Sequence, residues 1–301
     1  MNIKDITLIC VDCLNYDAAL RAIARSTQHP EFHKAIFITD KPPQKKPNNV
    51  EIKIIQKIQS REAYSNFMLD KIGDYFTTEF ALIVQWDGYI INEDAWDPDF
   101  LNYDYIGAKW WHKDGLNVGN GGFSLRSRKL VESIKQLKNI NLNDTEDNII
   151  CRTFRPELEK KFGIKFADET IADKFAYERG YTPGEKMPWG FHGFFNIHRH
   201  VAKNELFNIV NSLPDKSILA TEFKELILNL HKANRHDECI MCCIKLLSIS
   251  AQEINILQVL YVSTIATKQY WISAMAILQL SVKDPNNVQY KNELSKFKNY
   301  F

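Results

Sequence analysis

The chain has 301 residues, 45% of them hydrophobic and 25% charged, as in an ordinary globular protein with room for more than one compact unit. Lys and Arg total 38 against 37 Asp and Glu, a formal net charge of +1, which leaves no global field to gather nucleic acid or an anionic surface. No run approaches the ~20 apolar residues of a membrane span, and Asp5 falls where a signal peptide would begin its apolar core, so the expected location is cytoplasmic.

Residues 6–11 are an apolar, β-branched run that ends on Asp12 and predicts a buried strand, and the alanine-rich stretch 17–25 predicts a helix. A second strand is expected over 34–39, ending on Asp40, then a proline loop and a third strand over 51–58. A helix over 62–76 leads to the apolar run from Phe80, which breaks into Gln85-Trp86-Asp87-Gly88. Strands alternating with helices predict an α/β fold: a Rossmann-type, mainly parallel sheet flanked by helices, with its ligand site at the strand C-termini.

Residues 92–122 are aromatic and irregular and close on Gly119-Asn120-Gly121-Gly122. A strand at 124–125, helices over 127–137, 157–162 and 167–177, and the acidic turn 144–147 follow, then a glycine- and aromatic-rich loop around His192. Past Leu213-Pro214 glycine disappears and five amphipathic helices are expected, near 217–232, 237–248, 252–267, 271–282 and 288–300. The expected division is therefore 1-213 for the α/β domain and 214-301 for a small all-α domain. Setting Asn234-Arg235-His236 on Lys268-Gln269-Tyr270 gives an offset of 268 − 234 = 34, a period that resembles tetratricopeptide repeats. A plain helical appendage is the alternative.

Several residue types carry chemistry. Asp87, at a strand end, is placed to hold a divalent cation, although position 85 is Gln where a D-x-D motif would have its first acid; the alternative is that Asp87 caps a turn. His192 offers a further ligand or a donor to phosphate, whereas His198 and His200 are read as structural. Glu146 or Asp147, with Asp147 preferred, is placed to take a proton from an attacking hydroxyl, and helix capping explains the same cluster without chemistry. The glycines let backbone approach a ligand but lack the Lys and Ser/Thr of a P-loop and the spacing of a dinucleotide fingerprint. Trp110, Trp111 and Trp189 offer flat faces on which sugars stack, and Arg126 and Arg128 could meet phosphate. Cys10/Cys13 and Cys239/Cys242 have the spacing of zinc ligands, but without supporting histidines they are expected to be reduced core thiols.

Together, Gln85-Trp86-Asp87-Gly88, Trp96-Asp97, Tyr103-Asp104-Tyr105-Ile106-Gly107-Ala108, Val118 to Arg126, Glu146-Asp147 and Gly190-Phe191-His192-Gly193 resemble, in order and spacing, a family of uncharacterised bacterial domains similar to GT-A-fold glycosyltransferases. That resemblance covers about residues 3–196. It implies transfer of a sugar from a nucleotide-diphosphate donor, uridine-linked, to a glycan or lipid-linked glycan acceptor in bacterial surface polysaccharide synthesis, with Mn²⁺ or Mg²⁺. By the resemblance Asp87 and His192 hold the metal, and Asp147 with Glu146 supplies the base. Asn120, Gly121, Gly122, Trp110 and Trp189 would face the acceptor, while Val11, Asp12, Asp40, Arg61, Tyr64, Gln85 and Trp86 would line the donor. The chain would then work in the cytoplasm or peripherally at the inner face of the membrane. A catalytically drifted scaffold that recruits a protein partner through the helical tail is the alternative, favoured by Gln85. A nucleotidyltransferase fits less well, because residues 12–16 lack a glycine- and lysine-rich loop.

Overall fold

The computed structural model describes residues 2–28, 30–44, 47–180 and 186–300. Strand β1 (Asn2–Val11) is the middle of the first unit because its apolar residues are buried on both faces of the pleat. Ile6, Leu8 and Cys10 point to one side, against Ala19 and Ile23 of helix α1 (Tyr16–Ser26). Ile9 and Val11 point to the other, into a cluster with Met68 and Val131. β2 (Glu31–Thr39) and β3 (Val50–Ile54) extend the sheet on one flank, and helix α2 (Arg61–Asp70), N-capped by Ser60 accepting from Ala63 N–H, covers a face.

β4 (Phe80–Val84) is entirely buried and pairs parallel to β1. Short β5 (Tyr89–Ile90) and β6 (Tyr105–Ile106) follow, and then β7 (Phe123–Ser127), which returns antiparallel to β4. The six-stranded order is β3-β2-β1-β4-β7-β6, parallel through β4 and antiparallel beyond it. Ser127 caps helix α3 (Arg128–Ile134); after it come the single turn α4 (Glu146–Asn148), α5 (Arg155–Phe162) and α6 (Glu169–Phe175). The expected helix over 167–177 stops at Phe175. Ala176 is extended (φ −158°) and starts β8 (Ala176–Tyr177), which joins β5 and β9 (Gly190–Phe191) in a second sheet of order β5-β9-β8.

The two compact units are Met1–Gly193 and Phe194–Phe301. The division precedes the Leu213-Pro214 change in composition because residues 194–213 pack with the helices that follow. Phe194 stacks on Phe223 with centroids 6.0 Å apart, and Asn229 Nδ2 donates to the Phe195 carbonyl. The second unit comprises α7 (Lys203–Ser212), absent from the sequence reading, α8 (Asp215–Ile218), α9 (Thr221–Lys232), α10 (His236–Ile249), α11 (Ile254–Ala266), α12 (Tyr270–Lys283) and α13 (Val288–Ser295). Asn234 (φ 55°) and Lys268 (φ 58°) both adopt the left-handed conformation in the turn before α10 and before α12. Among the described residues no helix is long and apolar enough to cross a membrane. All six cysteines are buried thiols.

Candidate active site

The reversal of strand direction at β7 builds the site. An antiparallel strand places its N-terminal end beside the C-terminal end of its neighbour, so the glycine loop that enters β7 arrives next to the residues that leave β4. The Val84↔Phe123 pairing continues outward as Gln85 N–H donating to the Gly122 carbonyl at 2.8 Å. Asn120 makes the turn possible: it sits at φ 65°, and its Oδ1 accepts from Gly122 N–H.

His192, immediately after β9, fits against this corner. Its Nε2 lies 3.2 Å from Gln85 Oε1 and 3.4 Å from Asp87 Oδ1, and its Nδ1 lies 3.2 Å from Glu178 Oε1. The Gln85 amide is oriented by donating its Nε2 to the Tyr64 hydroxyl at 2.9 Å, which leaves Oε1 toward the imidazole. Burial alone would lower the His192 pKa; Asp87, then Glu178, carries it well above the ordinary histidine value. When Nδ1–H donates to Glu178, a neutral imidazole turns its Nε2 lone pair toward two acceptor oxygens. Positive charge at its centre, from a second ring proton or a cation, relieves that opposition.

The two glycines are where side chains have no room. A Cβ on Gly122 would lie 2.0 Å from His192 Nε2, and one on Gly121 would lie 2.2 Å from Glu146 Oε1. One peptide step thus separates the imidazole from the acidic pair. Glu146 is buried and gives Oε1 to Arg126 at 2.6 Å. Arg126, 1% exposed, also donates to Ser124 Oγ and, at 3.4 Å, to the Gly121 carbonyl. Desolvation pushes the Glu146 carboxyl up and Arg126 pulls it back, while the guanidinium stays charged. Asp147 is half-buried; its Oδ2 accepts from Gly121 N–H at 3.0 Å and its Oδ1 from Asn148 N–H. Of the acidic pair, Asp147 is therefore the carboxylate open to a substrate, whereas Glu146 braces the loop.

The expected donor-side residues separate into two groups. Tyr64, Gln85 and Asp87 join the His192 cluster. Asp12 and Asp40 stand together at the ends of β1 and β2 around Tyr16. Asp12 Oδ1 accepts from Leu14 and Asn15 N–H, and the Tyr16 hydroxyl donates to Asp40 Oδ1 at 2.7 Å. Burial raises the Asp12 pKa to about 6. Val11 is a core side chain, Trp86 is half-buried against the core, and Arg61 is exposed at the start of α2.

The two expected acceptor-side tryptophans differ in exposure. Trp189 is fully buried among Trp96, Phe123 and Phe175 and presents no face to a ligand. Trp110 is half-buried over Gly119, where a Cβ would meet its ring at 2.1 Å. Glu178 and the bracing role of Arg126 were absent from the sequence reading. Glu178 is 14 residues from His192 and belongs to no motif, so only the pairing of β8 with β9 brings the two together.

Among the described residues no group of three or more His, Cys, Asp or Glu side chains is arranged to hold a metal. The donor set is instead a mixed one: an amide oxygen (Gln85), a carboxylate oxygen (Asp87) and an imidazole nitrogen (His192), the last oriented from behind by Glu178. That chemistry fits a hard divalent cation.

The family described as protein of unknown function (DUF5672) matches residues 49–192. No curated protein matches. Among solved structures the chain is similar to the apo-form glycosyltransferase GlyE of Streptococcus pneumoniae TIGR4, with 15% identity, 62% of this chain and 53% of that one covered, and a TM-score of 0.40. It is also similar to an active-site mutant of LgtC (14% identity, 62% and 86% covered, TM-score 0.39). A third is a glycosyltransferase involved in glycosylation of the major capsid of PBCV-1 (12% identity, 62% and 91% covered, TM-score 0.41). The chain spans about half the length of the first of these, at 53%. At such scores the chemistry of the site is read from its own geometry.

Proposed function

We propose that the first unit is a glycosyltransferase that moves a sugar from a nucleotide-diphosphate donor, uridine-linked, to a hydroxyl of a glycan or lipid-linked glycan, with inversion at the anomeric carbon. The observation that supports it is the meeting, across the Gly121-Gly122 peptide, of a cation-demanding cluster (Gln85, Asp87, His192) with a half-exposed carboxylate (Asp147). A diphosphate leaving group needs positive charge at one end of the reacting bond, and the acceptor hydroxyl needs a base at the other. The glycine pair lets both stand close to one anomeric carbon.

Gln85, Asp87 and His192 would hold Mn²⁺ or Mg²⁺, which when bound neutralises the departing diphosphate. Glu178 fixes the His192 ring so that Nε2 faces the donor phosphates. Asp147, half-exposed and steadied by Gly121 N–H, would take the acceptor proton as the acceptor oxygen attacks. Asp12 and Asp40, just past the ends of the paired strands β1 and β2, and Tyr16 between them would form the polar rim where the nucleoside lies.

Asp87→Ala and Asp147→Ala should each lower transfer by roughly 10²- to 10³-fold, and Asp87→Ala should also erase the rise in Tm produced by a uridine-diphosphate sugar with Mn²⁺. Full activity in both variants overturns the proposal, as does a product of retained configuration. One observation favours a second reading, a catalytically drifted binding protein that recruits a partner through its helical unit. Position 85 contributes a neutral amide, and Asp87 and Glu178 hold His192 toward its charged form. Donor binding without transfer to any acceptor would select it.

A further inference from the structure

A second concavity lies in the same unit, away from the glycine loop. It is a cleft of about 560 Å³ whose floor carries Trp96 and Met187 and whose rim carries Asp94, Lys109, Lys174 and Lys186. Asn92 Nδ2 donates to the Met187 carbonyl at 2.8 Å, and Trp189 N–H donates to the Lys174 carbonyl at 3.0 Å, joining the segments that flank it. Trp96 is half-buried and held from behind by Trp189 (centroids 4.8 Å apart) and by the edge-on ring of Phe100 (5.5 Å), so its ring is a fixed surface.

The charges at the rim come largely in cancelling pairs. Lys109 Nζ sits 2.6 Å from Asp173 Oδ2, and Lys174 Nζ lies 3.7 Å from Asp97 Oδ2. Paired ions present donors and acceptors at fixed positions without the net positive field that would select a phosphate or an acidic chain. A flat aromatic floor under a fringe of opposed donors and acceptors matches a pyranose, whose C–H face is apolar and whose hydroxyls need both kinds of partner. The volume is that of a small-molecule site and accommodates a short chain of such rings.

We propose that this cleft is a binding site for a neutral oligosaccharide stacked on Trp96, and that it holds a non-reacting stretch of the acceptor; the second clause rests on the proposed transferase function. The two places share a wall. Arg179 borders the cleft, and its neighbour Glu178 reaches His192 Nδ1.

The test is a titration of the full chain with maltotetraose, cellotetraose and chitotetraose, read by the indole N–H resonance of Trp96 in two-dimensional NMR. In parallel, a thermal shift with a uridine-diphosphate sugar and Mn²⁺ reports the donor end. At least one tetrasaccharide should move the Trp96 resonance, and binding should weaken roughly tenfold in Asp94→Ala/Lys186→Ala, whose exposed positions leave folding intact. The donor thermal shift should be unchanged in the rim variant. A Trp96 resonance unmoved by all three sugars, or binding equal in parent and rim variant, overturns the site, whatever the donor does. Sugar binding at Trp96 with no donor thermal shift keeps the oligosaccharide site and overturns only its acceptor role.

Discussion

The α/β unit and the helical unit bury different kinds of polar group. Under the glycine loop the first unit encloses full charges: Arg126 against Glu146, and His192 between Asp87 and Glu178. The second encloses mostly neutral hydroxyls and thiols, as when Ser273 Oγ donates to Thr264 Oγ1 and Thr264 Oγ1 donates to the Leu260 carbonyl, beside a Glu238 that is paired with the partly exposed Arg235. Buried charge is costly to desolvate and is retained where geometry or chemistry needs it, whereas small hydroxyls fill a helix interface at little cost. The contrast supports placing the proposed chemistry in the first unit.

The contrast breaks most visibly at Arg126. Arg126→Met strands the Glu146 carboxylate and should lower stability by about 3–5 kcal/mol in urea unfolding, whereas Arg126→Met/Glu146→Leu should recover most of that loss. Because the double variant no longer holds the Gly121 carbonyl, its transfer activity should stay low although its Tm returns.

His198 is the buried ionisable group that tests the helical unit. Burial first, then Arg199 and Arg235, lowers its pKa to about 4. The folded state therefore binds this proton less readily than the unfolded chain. Its contribution is complete above about pH 6.5 and is lost as pH falls toward 4, by up to about 3 kcal/mol. Unfolding at pH 7 and pH 4 checks this, since His198→Asn should show a smaller difference between the two than the parent.

Gly121→Ala drives a methyl against Glu146 and should cost about 1–3 kcal/mol, together with a fall in kcat. The smallest effect is expected at Cys243. Cys243→Ala should cost about 1 kcal/mol and leave donor binding untouched, sharpening the distinction between packing thiols and working charges; a change in donor thermal shift in that variant would blur it.

Much of this architecture was legible beforehand, for identifiable reasons. Apolar runs that end on Asp12, Asp40 and Gln85 read as buried strands because a strand covered on both faces has no polar positions until it leaves the sheet. Gly121 and Gly122 stood out because a glycine-poor chain keeps them where backbone must pass close to something. Less legible was the identity of that something. In the structure they lie against Glu146 and His192, contacts that no local pattern announces. Trp189 and Trp96 look alike in sequence, yet one is fully enclosed by rings and the other keeps a face to a cleft.

Composition and period by themselves determined the α/β order of the first unit, the helical character of the second and the short list of acids and histidines worth weighing. Tertiary structure alone decided which of them meet. The antiparallel return of β7 sets Gly122 beside Gln85, the pairing of β8 with β9 carries Glu178 to His192, and the loop before α4 delivers Glu146 to Arg126. Strand direction and register are properties of pairing between distant segments, and no local pattern of residues encodes them.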